Sequence, residues 1–280
     1  MRAAILRAAI QGELGSNSHA AARLLLGEPQ IVGCTVSAEV FDSLTRLRTV
    51  DVAVLPIENS LHGSVAEHYD LLLADDVVVL AECRLRIPHM LIAVPGTKFD
   101  EIRRVLSHPV ALSQCRRFFA EHPELAAAPF YDTAGSVKHI IEVGDRSQAA
   151  IASEPAAPQY GGEILLRNIE DNPENFTRFF LLARSEDAEA LRPAGLPDKM
   201  SIAFTIEHRP GSLVEALQRM ANEKVDLTRI ESRPVPGRPW EYVFYVDLRF
   251  SVPDVADRIL RSLQEHCSLV KELGRYQAAK

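Results

Sequence analysis

An α/β fold in two parts follows from three observations on the sequence. From residue 3 to 184, apolar runs of strand length alternate with amphipathic runs of helix length. A small polar cluster stands at the end of one strand after another, directly before a helix, where open α/β sheets place their ligands. Beyond a linker rich in Pro and Gly at 185–198, the order of elements changes to βαββαβ over 199–280, the ferredoxin-like plan.

Residues 3–11 are an apolar run ending at Gly12 and read as the first strand. Gly12 and Gly15 permit a tight turn, and Ser16 or Ser18 caps a helix over 20–26. Free N–H groups at that helix start suit a carboxylate or phosphate. An ordinary capped helix has the same pattern, so both readings stand. The spacing is neither that of a P-loop nor that of a dinucleotide fingerprint. Residues 50–57, an apolar run of strand length, open into Glu58, Asn59 and Ser60. Gly63 then turns the chain, and Ser64 stands to cap a helix over 67–73.

Strands follow at 77–80 and 87–94, the second closed by Pro95-Gly96, and then a helix over 99–105. A strand end at 105–106 leads into "SHPVALSQC", with Ser107 placed to cap and Ser113 and Gln114 in the first helical turns. His108 is a candidate general acid or a structural histidine. Asp132 and Thr133 precede a helix that continues through 138–143, and 149–152 and 164–166 are short strands. The stretch 168–180, "NIEDNPENFTRFF", runs from a turn-forming cluster into an apolar run, placing Thr177 and Arg178 at a loop-to-strand junction. A hydroxyl and a guanidinium there suit a small anionic, hydroxylated ligand; the alternative is a surface loop with a structural ion pair.

After the linker, Ile202, Phe204 and Ile206 alternate as a strand, and Leu213, Ala216, Leu217 and Met220 repeat at helical spacing. A strand at 225–230 and the "PVPGRP" turn come next. Tyr242, Phe244, Val246, Leu248 and Phe250 then alternate with Glu241, Tyr245, Asp247 and Arg249, a pattern that predicts one buried and one wet face. Val255, Ile259, Leu263 and Cys267 mark a second helix, and 269–273 closes the sheet.

Composition narrows the function classes. The 280 residues are 47% hydrophobic and 25% charged, which is ordinary for a globular protein. A formal charge of −7, without a basic stripe, argues against nucleic acid as a partner. No segment has the length of a membrane span, and the N-terminus lacks the pattern of a secretory signal. The four cysteines (Cys34, Cys83, Cys115, Cys267) are widely spaced and read as reduced, so a cytoplasmic protein is expected. The histidines show no paired metal spacing, and no metal site is expected.

Taken in order, "GELGSNSHAAA", "LPIENSLHGSV", "SHPVALSQC", "DTAGSV", "AAIAS" and "NFTRFF" resemble the bacterial prephenate dehydratases. The C-terminal "RPGSLVEAL" and "TRIESRP" resemble the ACT regulatory domain that ends members of that family. One departure is Asn17, where many members carry Tyr. The resemblance implies a catalytic region at 1–184 built as two lobes like those of periplasmic binding proteins, one about 1–86 with 177–184 and the other about 87–176. It further implies an ACT domain at 199–280 that binds L-phenylalanine through Gly211, Ser212, Leu213, Glu231, Ser232, Arg233 and Pro234, and a homodimer or homotetramer. The implied reaction is loss of carbon dioxide and water from prephenate, giving phenylpyruvate for phenylalanine biosynthesis without metal or nucleotide cofactor.

In that reading Thr177 sits at the departing hydroxyl, with Glu58 and His108 as candidate acids and Arg178 either on the pyruvyl carboxylate or bracing the loop. Ser16, Asn59, Ser60, Ser107, Gln114, Thr133 and Phe179 form the substrate site. Neutral donors suit a carboxylate that must leave, since tight ground-state binding slows its loss. Arogenate dehydratase and a non-catalytic amino-acid sensor are the competing readings. No chorismate-mutase-like helical segment precedes residue 3, so a single activity is expected.

Overall fold

The computed structural model describes residues 5–235, 238 and 240–279. Residues 3 and 4 of the expected first strand, and Pro236, Gly237 and Pro239 of the expected turn, lie outside the described residues. In chain order the elements begin β1 (Arg7–Gln11), α1 (Asn17–Leu26), β2 (Gln30–Cys34), α2 (Ser37–Leu44), β3 (Val52–Asn59), β4 (Gly63–Ser64), α3 (Ala66–Ala74), β5 (Val77–Arg86) and β6 (Met90–Ala93). Then come β7 (Arg104–Ser107), α4 (Pro109–Ser113), α5 (Arg116–Glu121), β8 (Ala126–Pro129), α6 (Thr133–Val143), β9 (Gln148–Ala152), α7 (Ala156–Tyr160), β10 (Glu163–Leu166) and β11 (Phe176–Arg184). The chain ends with α8 (Ala188–Leu191), β12 (Lys199–Thr205), α9 (Ser212–Asn222), β13 (Asp226–Pro234), β14 (Tyr242–Arg249), α10 (Asp254–Gln264) and β15 (Leu269–Tyr276).

The chain forms two compact units. The first runs through Val65 and includes Arg84–Phe179; the second takes Ala66–Cys83 and the chain from Phe180 on. In the first unit β2, β1 and β3 are parallel neighbours, with Arg7 opposite Gln30 and Ala8 opposite Val52. Ala8, Ala9 and Ile10 of β1 and Val54 and Leu55 of β3 are fully buried, as strands covered on both faces should be. A second sheet has the order β10-β6-β9-β7-β8, with β7 parallel to β8 and β9 but β6 antiparallel to β9 and β10. The expected α/β fold is therefore present, with antiparallel pairs beside the parallel ones in both sheets.

Three local expectations are corrected. Residues 99–105 are not a helix: a single 3-10 turn, Phe99–Glu101, gives way to β7, because Val105 and Leu106 are taken into the second sheet between β8 and β9. Ser107 does not cap the next helix. His108 does, its Nδ1 accepting from Val110 N at 3.3 Å. No element is expected between 27 and 49, yet β2 and α2 lie there, with Val40, Phe41 and Leu44 of α2 buried.

In the second unit the sheet order β13-β14-β12-β15, with α9 and α10 between strands, is the expected βαββαβ arrangement. Met200, Ile202, Phe204, Val246 and Leu248 pack with Ala216 and Met220 of α9 and Ile259 and Leu263 of α10. The face expected to be wet is exposed at Glu241 and Arg249 but covered between them. Tyr245 and Asp247 are buried, the Tyr245 hydroxyl donating to Tyr69 O of α3 at 3.0 Å. Residues 185–198 hold a 3-10 turn, Ser185–Asp187, and the short α8.

Candidate active site

A cavity of about 500 Å³ opens in the first unit. Its wall takes Gly12, Glu13 and Ser16 from the turn after β1, Asn17 and Ser18 from the start of α1, Asn59 from the end of β3, His62 from the turn after it, and Thr177 and Phe179 from β11. The second sheet and its loops supply His89, His108, Gln114, Tyr131, Asp132 and Thr133.

Strand alternation decides which side chains reach this space. Thr177 and Phe179 line it, whereas Arg178 is buried on the other face with its Nη1 3.8 Å from Glu58 Oε2. The same rule at the end of β3 turns Asn59 toward the cavity and Glu58 toward Arg178. Ser60 braces the start of β11: its Oγ donates to Glu174 O at 2.9 Å and accepts from Phe176 N at 3.0 Å.

A chain of amides fixes the Thr177 hydroxyl, and backbone atoms at two points fix the chain. Asn59 Oδ1 accepts from the N–H groups of Leu61 and His62 at 3.0 and 3.1 Å, so Asn59 Nδ2 is the donor on the other side. That nitrogen reaches Asn175 Oδ1 at 2.7 Å and Thr177 Oγ1 at 3.0 Å. Asn175 Nδ2 faces Ile87 O at 3.4 Å, an acceptor only, and also donates to Gln114 Oε1 at 3.2 Å. Gln114 Oε1 then accepts from His89 Nε2 at 2.7 Å, and Gln114 Nε2 donates to His62 Nδ1 at 3.1 Å. Because Thr177 Oγ1 receives a hydrogen bond from Asn59, its own proton is left to donate into the cavity. Burial pushes the His89 imidazole down from its ordinary pKa, against the opposing effects of Gln114 and Glu170, which suits a neutral ring donating through Nε2.

Two helices bring their positive ends to the wall. Ser16 caps α1 by accepting from His19 N at 3.3 Å, and Asp132 caps α6 by accepting from Gly135 N at 2.6 Å. Burial, reinforced by Glu13, pushes the Asp132 carboxyl up from its ordinary pKa, against the lowering effect of the Gly135 N–H.

Of the residues expected at the site, Thr177, Ser16, Asn59, Gln114, Thr133 and Phe179 line the cavity, as does His108. Glu58, Arg178, Ser60 and Ser107 do not; the Ser107 hydroxyl is fully buried and donates to Ile151 O. Sequence reasoning did not single out Asn175, His62 or His89, which complete the amide chain. Asn175 carried the only local signal, as a member of the turn cluster before Thr177.

The residues expected to hold phenylalanine divide between the start of α9 and the end of β13. Gly211 adopts a left-handed φ of 86° before α9, the Ser212 hydroxyl donates to Arg209 O at 3.0 Å, and Leu213 packs on the helix–sheet core. On β13, Glu231 pairs with Arg229, Ser232 lies opposite Phe244, and Pro234 is the last residue. Arg233 grips Asp70 of α3 with two bonds of 2.9 and 2.6 Å.

An α/β unit with a cavity walled by neutral donors, two helix starts and the carboxylates of Glu13 and Asp132 has the form of a site for a small polar ligand. Residues 8–187 match the model of the family described as prephenate dehydratase. "Arogenate dehydratase/prephenate dehydratase 2, chloroplastic" of Arabidopsis thaliana is 39% identical over 282 residues, covering 97% of this chain and 72% of that protein. A crystal structure of prephenate dehydratase from Arthrobacter aurescens in complex with L-Phe aligns with a TM-score of 0.85 at 29% identity, covering 98% of this chain and 90% of the other. A structure described as GqqA, a novel type of quorum-quenching acylase, aligns with a TM-score of 0.85 at 31% identity, covering 97% of this chain and 98% of that one. The chain belongs to the prephenate dehydratase family. As a dehydratase it is a lyase.

Proposed function

We propose that this cavity carries out the decarboxylating dehydration of prephenate to phenylpyruvate and that Thr177 acts at the departing hydroxyl. The observation that carries the reading is the Asn59-to-Thr177 hydrogen bond of 3.0 Å, which leaves the Thr177 proton to be donated into the cavity. In the reaction the bond to the ring carboxylate breaks and its electron pair enters the ring. The C–O bond breaks in turn, and the leaving oxygen takes a proton. Aromaticity supplies the driving force, so the protein has to orient the substrate and stabilise the departing oxygen. A threonine hydroxyl is too weak an acid to be the final proton source, and its role here is that of a hydrogen-bond donor to developing charge.

The βαββαβ part of the second unit is read as an ACT domain that binds L-phenylalanine and regulates turnover in a homodimer or homotetramer. The order β13-β14-β12-β15 and the segments "RPGSLVEAL" and "TRIESRP" support that assignment. Phenylpyruvate formation from prephenate, measured with and without L-phenylalanine, tests both halves. Product suppressed by L-phenylalanine is the expected result. Product insensitive to it removes the regulatory half; no product from prephenate turns the test to arogenate, and no product from either substrate removes the catalytic half.

A further inference from the structure

The charges on the cavity wall do not match a ligand that is anionic throughout. Glu13 and Asp132 line the cavity, and among the described residues no Lys or Arg does. Glu13 is engaged, with Tyr131 Oη donating to its Oε1 at 3.2 Å and Lys138 Nζ 3.4 Å from its Oε2. Asp132 Oδ1 accepts from Gly135 N at 2.6 Å, and the Ala134 N–H and the His108 ring also favour its ionised form. Its Oδ2 lies across from Gly12, where a Cβ would stand 2.9 Å from that oxygen and 3.8 Å from Ser16 Cβ. A carboxylate oxygen thus sits close to the N-cap of α1, whose first backbone N–H groups form an anion site.

Donors for a carboxylate beside an acceptor for an ammonium are what an α-amino-acid group requires. An α-keto acid brings no cation to an ionised Asp132, and its carbonyl oxygen faces that carboxylate with like partial charge. Relief of a half-buried carboxylate of raised pKa by an ammonium adds to the discrimination.

We propose that Asp132 is a specificity-determining residue that binds the α-ammonium of the substrate side chain, so that the site favours arogenate, the amino counterpart of prephenate. The inference rests on the dehydratase reading of the same cavity. The test is kcat/KM on arogenate and on prephenate, side by side, for the wild type and Asp132→Asn. Asparagine is as good an N-cap as aspartate, so α6 keeps its start. The ratio of kcat/KM, arogenate over prephenate, is expected to fall by about tenfold or more, as when a site loses the partner of a charged group. Asp132→Ser, which also caps and carries no charge, should give the same shift. Equal losses on both substrates would assign Asp132 to the shared elimination and overturn the inference, as would an unchanged ratio. No turnover of either substrate by the wild type would remove the dehydratase reading itself, and this inference with it.

Discussion

Thr177 has neighbours on either side that serve different ends, and the difference is one of strand geometry. Arg178 sits on the opposite face of β11, paired with Glu58, while Thr177 faces the cavity. Replacing Thr177 by Ala removes the donated proton without opening a buried cavity. Turnover should fall about 100-fold or more, the usual scale for a lost group in proton transfer. Stability should change by less than about 1 kcal/mol. Thr177→Ser should keep most of the turnover, and kcat values for both variants with thermal unfolding beside them check this; a fully active Thr177→Ala would remove the residue from the mechanism. Asn175 acts one step further back, since its amide holds Asn59 and Gln114 in their orientations. Asn175→Asp puts a carboxylate oxygen against Ile87 O and Gln114 Oε1, two acceptors. The cost is about 1–3 kcal/mol of stability for the unsatisfied buried groups. A loss of kcat with KM little altered is expected as Thr177 loses its orientation, and steady-state kinetics at full occupancy would show whether it occurs.

Gly15 governs the turn between β1 and α1. Its φ of +81° is left-handed, and a Cβ there would meet Ala156 Cα of α7 at 2.8 Å. Ser153 Oγ donates to Gly15 O at 2.7 Å and Tyr160 Oη to Leu14 O at 2.8 Å, so the turn that carries Glu13 and Ser16 is fixed against α7. Gly15→Ala therefore adds a steric clash of about 1–3 kcal/mol to a left-handed penalty of about 1–2 kcal/mol, and should raise KM by displacing Ser16. Gly144, with φ +72°, ψ 15° and no atom within 4 Å of its would-be Cβ, isolates the backbone part: Gly144→Ala should cost about 1–2 kcal/mol and leave KM alone. Equal unfolding temperatures for the two variants would show that the close approach to α7 does not matter. Much of this layout was legible in the sequence, because strand, polar cluster and helix each have a local signature, and Gly12, Gly15 and Ser16 announce the turn. Three things were not. The side-chain alternation that separates Glu58 from Asn59 depends on β3 running on to Asn59 instead of ending at residue 57. His89 and Gln114 meet through a bond that spans 25 positions, which no local pattern encodes. The middle of the outer face of β14, at Tyr245, was misjudged because α3, which lies far upstream in sequence, supplies the cover.

At the scale of the chain, the second unit is assembled from distant segments. Lys199 Nζ lies 3.0 Å from both oxygens of Glu82, a buried pair whose disruption by removing one partner costs about 3–5 kcal/mol in comparable cases. Lys271 Nζ donates to Leu72 O and Leu73 O at 2.9 and 3.0 Å and so satisfies the carbonyl end of α3. The Arg229 guanidinium lies 4.3 Å from the centre of the Tyr69 ring. The βαββαβ sheet thus holds α3, and α3 begins at Ala66, immediately after the cavity-lining Gly63, Ser64 and Val65. Arg233, in the segment proposed to respond to L-phenylalanine, grips Asp70 of this helix with two bonds. An effector changes turnover only if it binds two arrangements of the protein unequally, and a pair that joins the effector segment to α3 is a place where such arrangements differ. Asp70→Asn halves the charge-assisted grip while leaving the cavity residues in place. Turnover without effector should stay within about threefold, since no group at the reacting atoms changes. The L-phenylalanine concentration for half-maximal effect should move by about fivefold or more, the lower range of measured coupling energies. A titration of initial rate against L-phenylalanine for both proteins decides it. If the two curves superimpose, the Arg233–Asp70 pair braces the unit without carrying the signal.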